Sequence, residues 1–412
     1  MPDRPPLTKR QIYRRRRIVV FGGALVALAG LFYLPLTLLA PLQSVDAAAT
    51  PPAAVATEQP AIAFPEYGAS GVGALGYPGV LASAGATGPL PIASISKVVT
   101  ALVVLDSFPL ALGEAGPAIT FDEVDQGFYA AQQADGGVVQ PVYAGQVMSQ
   151  RDVMNVMLLR SANNYAESLV RWAFGSEDAF VSTATSWLVE HGLASTTIVE
   201  PTGVSPANVS TVPDLVELAR MAIENPVVAE IVGSASIDIP ELGTLENRNE
   251  LLGVDGIDGI KTGTLDEAGS CLLFAQDVTI GSGTVTVVGV VLGGPDHATI
   301  NAAIRSLLAQ VDAGFREVTL ATEGQVFADY ATEWGDSAAA VAAEGASILV
   351  WAATPITVDI QADPVTLAPS GADVGEVVFT AGERAVTVRL QLSQTIDDPG
   401  PWWRLSNPAL LF

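Results

Sequence analysis

Lysine is nearly missing from this chain of 412 residues, where Lys9, Lys97 and Lys261 are the only three. Cysteine and histidine are scarcer still, with Cys271 alone and His191 and His297 the two imidazoles. A single cysteine excludes an intramolecular disulfide framework and a cysteine-built zinc site, and two histidines leave little for a His-rich metal cluster. Positive charge is short too: 19 Lys and Arg face 44 Asp and Glu, a formal net charge of −25. Seven of the basic groups crowd into residues 1–17 (Arg4, Lys9, Arg10 and Arg14 to Arg17), with Asp3 the one acid among them, so the body beyond Arg17 sets twelve basic side chains against forty-three acidic. A body this acidic repels a phosphate backbone, which excludes nucleic acid as its partner. Apolar residues, at 49%, are plentiful enough to fill the cores of two or three domains and exclude wholesale disorder.

Arg14 to Arg17 are followed by an uncharged, mostly apolar run from Ile18 to Leu42. Its 25 residues span about 37 Å as a helix, enough to cross a bilayer and too long for a secretory h-region of about 7–15 residues. The expectation is a retained, single-pass signal-anchor over 18–42, with the basic tail 1–17 cytoplasmic and all that follows extracytoplasmic. Cleavage near Ala47-Ala48-Ala49, followed by secretion, is the alternative. Pro35 implies a kink or tilt.

Residues 43–65 are rich in Ala, Pro and Thr and lack apolar periodicity, which predicts an extended linker with no fold of its own. Helical spacing begins near Ala93, with Ile95, Val98, Val99, Leu102 and Leu105 on one face, and returns over 151–174 and 298–313. SCLLFAQDVTI and GTVTVVGVVLGG read as a β-hairpin around a Gly-Ser turn, with Cys271 a buried strand residue. Together these predict an α/β domain over 66–315. Alternating patterns at 348–360 and 384–392 then predict a separate β-rich domain over 316–412, whose partner the sequence does not name. The C-terminal WWRLSNPALLF is too short and too poor in basic residues for an amphipathic membrane helix, and Trp402 and Trp403 read as core or edge packing. His191 and His297 read as surface or structural.

The two lysines outside the N-terminal tail stand in Ser94-Ile95-Ser96-Lys97 and Lys261-Thr262-Gly263, with Ser161-Ala162-Asn163 between them. In that order they are the S-x-x-K, S-x-N and K-T-G elements of penicillin-recognising serine enzymes. Each alone has an ordinary structural explanation: a helix N-cap at Ser94, a snorkelling Lys97, a helix-to-helix turn at 161–163, a strand end at 261–263. All of these holding at once is improbable in a chain that otherwise dispenses with lysine. The chemistry also follows from the spacing. On a helix, i and i+3 share a face, so the Lys97 amine reaches the Ser94 hydroxyl. To serve as base near neutral pH the amine must fall from about 10.4 to roughly 7, which burial and a second cation such as Lys261 would promote. A serine at a helix start also meets free N–H groups, half of an oxyanion hole.

On these motifs the chain resembles the low-molecular-mass penicillin-binding proteins, the D-alanyl-D-alanine carboxypeptidase and endopeptidase family. PIASISKVVTALVVLD is similar to that family's nucleophile helix, MLLRSANNYAESL to its second motif, NRNELLGVDGIDGIKTGTLDEAGSCLLFA to its third, and VEPTGVSPANVSTVPDL to the segment between. The resemblance covers roughly Tyr67 to Phe315. It implies an antiparallel sheet covered by helices, with Ser94 as the acylated nucleophile, Lys97 its base, Ser161 a proton relay to the leaving amine and Asn163 a holder of the substrate amide. Lys261 and Thr262 would bind the terminal carboxylate beside Gly263, and the backbone N–H groups of Ser94 and Thr264 would form the oxyanion hole. The implied substrate is a peptidoglycan stem peptide ending in D-Ala-D-Ala, β-lactams are the implied inhibitors, and no metal or organic cofactor is called for. Carboxypeptidase action leads. Endopeptidase and transpeptidase action, or a catalytically idle penicillin-binding scaffold or sensor, are the competing readings. Two departures stand out: Thr264 follows K-T-G where relatives often carry an aromatic, and the anchor lies at the N-terminus. Glu200-Pro201 invites comparison with the deacylating glutamate of class A β-lactamases, but Val204 stands where their asparagine would.

Overall fold

A computed structural model describes residues 8–52, 61–281, 283–351 and 354–412. The first seven residues of the basic tail and residues 53–60 of the linker lie outside the described residues. Helix α1 (Lys9–Leu38) begins inside the basic cluster and takes in Pro35. It is long and apolar enough to cross a membrane, with a mean hydropathy of 2.2 over its most apolar window, none of it buried in the protein. The segment after it departs from the expected structureless linker. Ala48–Ala49 form a two-residue strand, β1, paired with Asp329 and Ala328, while Val45 bridges Val365. Alanine and valine flanked by few charges supply what an edge strand needs, a free backbone and a small apolar face.

The site is carried by a five-stranded antiparallel sheet in the order β4-β5-β6-β2-β3. Its strands are β2 (Ala69–Ala74), β3 (Tyr77–Gly85), β4 (Ile257–Leu265), β5 (Gly269–Ile280) and β6 (Gly283–Gly294). The anticipated hairpin is β5–β6, and Cys271 is buried within it. Period-two alternation divides these strands between two cores. Cys271, Leu273, Ala275, Val288 and Val290 face a helical layer, whereas Leu272, Phe274, Val287 and Val291 face the other side.

The helical layer holds α2 (Ser96–Ser107), α3 (Glu123–Ala134), α4 (Gln150–Leu159), α5 (Asn163–Phe174), α6 (Glu177–Glu190), α7 (Val212–Glu224) and α8 (Pro226–Val232). Helix α9 (His297–Asp312) covers the opposite face with Ile300, Ile304, Leu307, Leu308 and Val311. Two local outcomes differ from the periodicity. First, α2 does not present a single apolar stripe: its residues from Ser96 to Leu105 are all buried, as expected of a helix that is apolar on every side. Second, the helical run over 151–174 is broken in two, because Ser161 takes a left-handed backbone (φ +59°) that no α-helix accommodates.

From Phe315 to Leu392 the chain is β-structure. Strands β7 (Phe315–Ala321) and β10 (Ala346–Trp351) pair with each other. Strands β8 (Val326–Ala331), β9 (Ser337–Ala342), β11 (Ile356–Ala362), β12 (Asp373–Ala381) and β13 (Arg384–Leu392) join β1 in a six-stranded sheet ordered β1-β8-β9-β13-β12-β11. Phe327, Tyr330, Val377, Phe379 and Leu390 fill the core beneath it. The two sheets meet where Tyr77 packs edge-on to Phe315 (5.3 Å), Phe315 to Trp351 (4.9 Å), and Arg384 donates to both the Tyr77 hydroxyl (2.8 Å) and the Leu349 carbonyl (2.7 Å).

The last helix, α10 (Gly400–Ser406), packs on α1. Tyr33 donates to the Leu405 carbonyl (2.7 Å), and Arg404, held by Asp398, donates to Ala40 (2.6 Å). Trp403 packs edge-on to Trp334 as expected, but Trp402 is 82% exposed and belongs to no core, a correction that follows from the two side chains pointing to different faces of one helix.

Candidate active site

The chain enters α2 through a tight 3₁₀ turn at Ala93–Ile95, which puts Ser94 half-exposed at the head of the buried helix. Ala93 pays a backbone strain for this, at φ +47°. Two glycines let the surroundings close on the turn. A Cβ on Gly203 would run into the Ala93 carbonyl, and one on Gly263 would lie 3.1 Å from the Ala93 side chain and 3.2 Å from the Ser94 amide nitrogen. Strand β4 therefore lies directly against the backbone of Ser94. Ser94 opens into a cleft of about 570 Å³ shared with Ser161, Thr262, Gly263 and Thr264.

Lys97, one turn further along, is fully buried. Its Nζ lies 3.0 Å from Ser94 Oγ and donates to Asn163 Oδ1 (2.8 Å) and to the Thr202 carbonyl (2.5 Å). A neutral amine has two hydrogens and one lone pair, so two acceptor oxygens take the hydrogens and the lone pair is left for the Ser94 proton. Burial pushes the Lys97 amine down to about 7, against the opposing pull of the Glu200 and Glu167 carboxylates. Lys261 is not the cation that helps. It too is buried, and burial first, then Lys97 and Arg248, hold its amine well below the ordinary lysine range, so Arg248 is the cation acting on Lys97. Lys261 donates to the Thr262 carbonyl (3.0 Å) on the strand that edges the cleft.

The structure thus brings Ser94, Lys97 and Asn163 into one hydrogen-bonded group. Ser161, Thr262, Gly263 and Thr264 line the space in front of it, and Lys261 lies beneath. The sequence pointed to none of the residues at the cleft mouth. Arg160, Arg248, Glu246, Glu250 and Asn301 share the lining, and His297, which the sequence reads as surface or structural, stands 2.8 Å through Nε2 from Thr264 Oγ1. Its position at the first turn of α9, after the Gly-Gly-Pro end of the hairpin, was the available signal. Burial lowers its imidazole, with Glu250 opposing.

Glu200 is fully engaged by its own loop. One carboxylate oxygen accepts from the Thr202 amide and hydroxyl (both 2.6 Å), the other from the Gly203 amide (2.7 Å) and Asn208 Nδ2 (2.9 Å). The loop is pinned in turn to α2, since Thr100 donates to Pro201 (2.8 Å) and Asn208 to Ser96 (3.0 Å). Glu200 therefore shapes the loop that brings the Thr202 carbonyl onto Lys97, with no lone pair set aside for activating a water.

Comparisons with known proteins bear on this arrangement. A family model described as D-alanyl-D-alanine carboxypeptidase matches residues 78–296, more than half of the chain. The D-alanyl-D-alanine endopeptidase of Pseudomonas aeruginosa is 34% identical over 197 residues, which cover 46% of this chain and 60% of that protein. That of Escherichia coli is 31% identical over 194 residues, 44% and 58% of the two chains. The chain thus spans about 60% of the length of these relatives. Penicillin binding protein 5 of Haemophilus influenzae superposes with a TM-score of 0.57 at 19% identity, over 85% of this chain and 99% of its own, which shows the fold.

Proposed function

Because the chain belongs to the D-alanyl-D-alanine carboxypeptidase family of penicillin-binding proteins, we propose that it is a serine peptidase that cleaves D-alanyl bonds in peptidoglycan stem peptides through an acyl-enzyme on Ser94. The observation that carries the proposal is the Lys97 amine, buried, lowered to about 7 and 3.0 Å from Ser94 Oγ. Ser94 Oγ attacks the carbonyl carbon of the penultimate D-alanine as its proton passes to the Lys97 lone pair. The resulting oxyanion is held by the backbone N–H groups of Ser94 and Thr264. As the C–N bond breaks, the leaving amine takes a proton relayed through Ser161, and water later resolves the ester on Ser94. The Thr262 hydroxyl and the neighbouring Arg248 cation face the substrate's terminal carboxylate, with Lys261 beneath them. A β-lactam would enter by the same attack, with its leaving nitrogen still tethered in the cleft.

Carboxypeptidase action is the first reading, supported by the family description. Endopeptidase action is the second, supported by the names of the two relatives. In either case residues 66–315 form the catalytic unit and 316–412 an accessory unit, with α1 as a membrane anchor that leaves the catalytic unit outside. The test is intact mass after benzylpenicillin treatment, alongside Ser94→Ala, followed by incubation with a stem pentapeptide and with a cross-linked peptide dimer. One adduct lost in Ser94→Ala, with D-alanine released from the pentapeptide, supports the first reading, and conversion of dimer to monomer supports the second. A stable adduct with no peptide turnover supports the idle scaffold. No adduct on the folded protein overturns the proposal.

A further inference from the structure

Behind the catalytic group, a chain of side-chain amides runs from Asn163 to a carboxylate with no other hydrogen-bond partner among the described residues. Asn163 Nδ2 donates to Gln132 Oε1 (2.8 Å), and Gln132 Nε2 donates to Glu167 Oε1 (2.9 Å). The other Glu167 oxygen is buried without a hydrogen-bond partner. Glu167 lines a cavity of about 300 Å³ with Val124, Phe128, Val170 and Pro201, and this cavity shares no lining residue with the catalytic cleft. Gly137 seals the relay from the side, where a Cβ would fall 2.8 Å from both Asn163 Nδ2 and Gln132 Oε1. Arg171 of α5 pairs with Asp122 (2.7 Å) and Asp125 (3.1 Å) and locks α3 to α5, the two helices that carry the relay.

We propose that Gln132 and Glu167 are positioning residues that fix the polarity of the Asn163 amide, keeping its oxygen toward Lys97 and its free N–H toward the substrate. The argument rests on donors and acceptors. An ionised carboxylate can only accept, so Glu167 makes Gln132 offer its NH₂ there and its oxygen to Asn163. Asn163 must then offer NH₂ to Gln132, and its oxygen is left for Lys97. A protonated Lys97 can only donate and would impose the same polarity from its own end. Once Lys97 gives up its proton it can also accept, and that constraint lapses as the base becomes competent. Glu167 then holds the amide alone. With the polarity fixed, the second Asn163 N–H is free for a substrate carbonyl. Reversed, an oxygen would face that carbonyl.

This inference rests on the peptidase reading, and its test separates the two. Second-order acylation constants of the full chain are measured by intact mass at pH 8, above the about 7 of both Lys97 and Glu167. The ligands are benzylpenicillin, which carries an acylamido group, and 6-aminopenicillanic acid, which lacks it. Gln132→Leu, Glu167→Leu and Gly137→Ala are expected to slow benzylpenicillin about tenfold or more, and 6-aminopenicillanic acid by less than about threefold. Gly137→Ala removes no hydrogen-bonding group, so it stands in if either leucine variant fails to fold. Glu167→Gln can donate as well as accept and so no longer dictates the polarity, and it is expected to slow benzylpenicillin selectively, by a factor between wild type and Glu167→Leu. Parallel slowing of both ligands, or no change in either, overturns the relay alone. Absence of any Ser94 adduct in the wild-type chain overturns the peptidase reading and the relay with it.

Discussion

Sealing a primary amine away from water sets folding against chemistry at Lys97. Its pKa falls from an ordinary 10.5 to about 7, so between those values the unfolded chain binds a proton that the folded chain does not. The stabilisation lost to this burial is therefore largest below pH 7 and vanishes as pH rises to 10.5, a span worth about 5 kcal/mol. Lys97→Met should accordingly gain stability relative to wild type at pH 7, with the advantage shrinking steadily toward pH 10 in denaturant titrations, while acylation by benzylpenicillin disappears. For the wild-type chain, acylation should fall about tenfold for each pH unit below 7 and level off above it, because the free amine is the working form. An acylation profile flat from pH 5 to 8 would contradict this. Gly263→Ala pushes on the backbone of Ala93 and Ser94 and should slow acylation about tenfold or more, with a stability loss within about 1–3 kcal/mol. Of these residues, Ser94, Lys97 and Lys261 were legible because lysine is so rare that its two outer positions draw attention. Gln132 and Glu167 were not. They lie 31 and 35 residues apart from their partners in sequence, and nothing in their local pattern marks them.

At the scale of elements, the hairpin and α9 followed from periodicity because each is long and its burial matches its pattern, whereas α2 was placed by its spacing but is buried on every side. The break between α4 and α5 was offered only as the ordinary explanation of residues 161–163 and not read from the helical spacing, since neither glycine nor proline marks residues 160–162 and the left-handed turn falls on a serine. The loop over 200–208 was equally opaque: Glu200 invited a catalytic comparison by its neighbours in sequence, whereas its contacts are those of a clamp. Glu200→Gln separates the two roles. Replacing one carboxylate oxygen by an amide leaves the Gly203 or Thr202 donors without an acceptor and should destabilise the fold by about 1–3 kcal/mol. It should also slow acylation by loosening the Thr202 carbonyl over Lys97. The lifetime of the penicilloyl adduct should stay within about threefold of wild type, and a many-fold longer lifetime would instead make Glu200 the base for deacylation.

Across the whole molecule, a change of texture near residue 315 pointed to the β-rich C-terminal part. What joins it to the rest could not be read, because Tyr77, Leu349 and Arg384 meet only through tertiary structure. Arg384→Ala removes two hydrogen bonds and a cation held 5.5 Å over the Tyr77 ring. The expected cost is about 1–3 kcal/mol of unfolding free energy, with benzylpenicillin acylation within about twofold of wild type. Loss of acylation in the folded variant would show that the junction reaches the cleft. The two-residue strand β1 has a wider implication. With α1 in a bilayer, the chain that leaves it adds at once to the C-terminal sheet, and α10 grips the helix's exit through Arg404 and Tyr33. On the proposed reading, such a protein does not swing its cleft on a loose leash. It would stand on a pedestal whose height sets how far from the membrane the Ser94 cleft reaches.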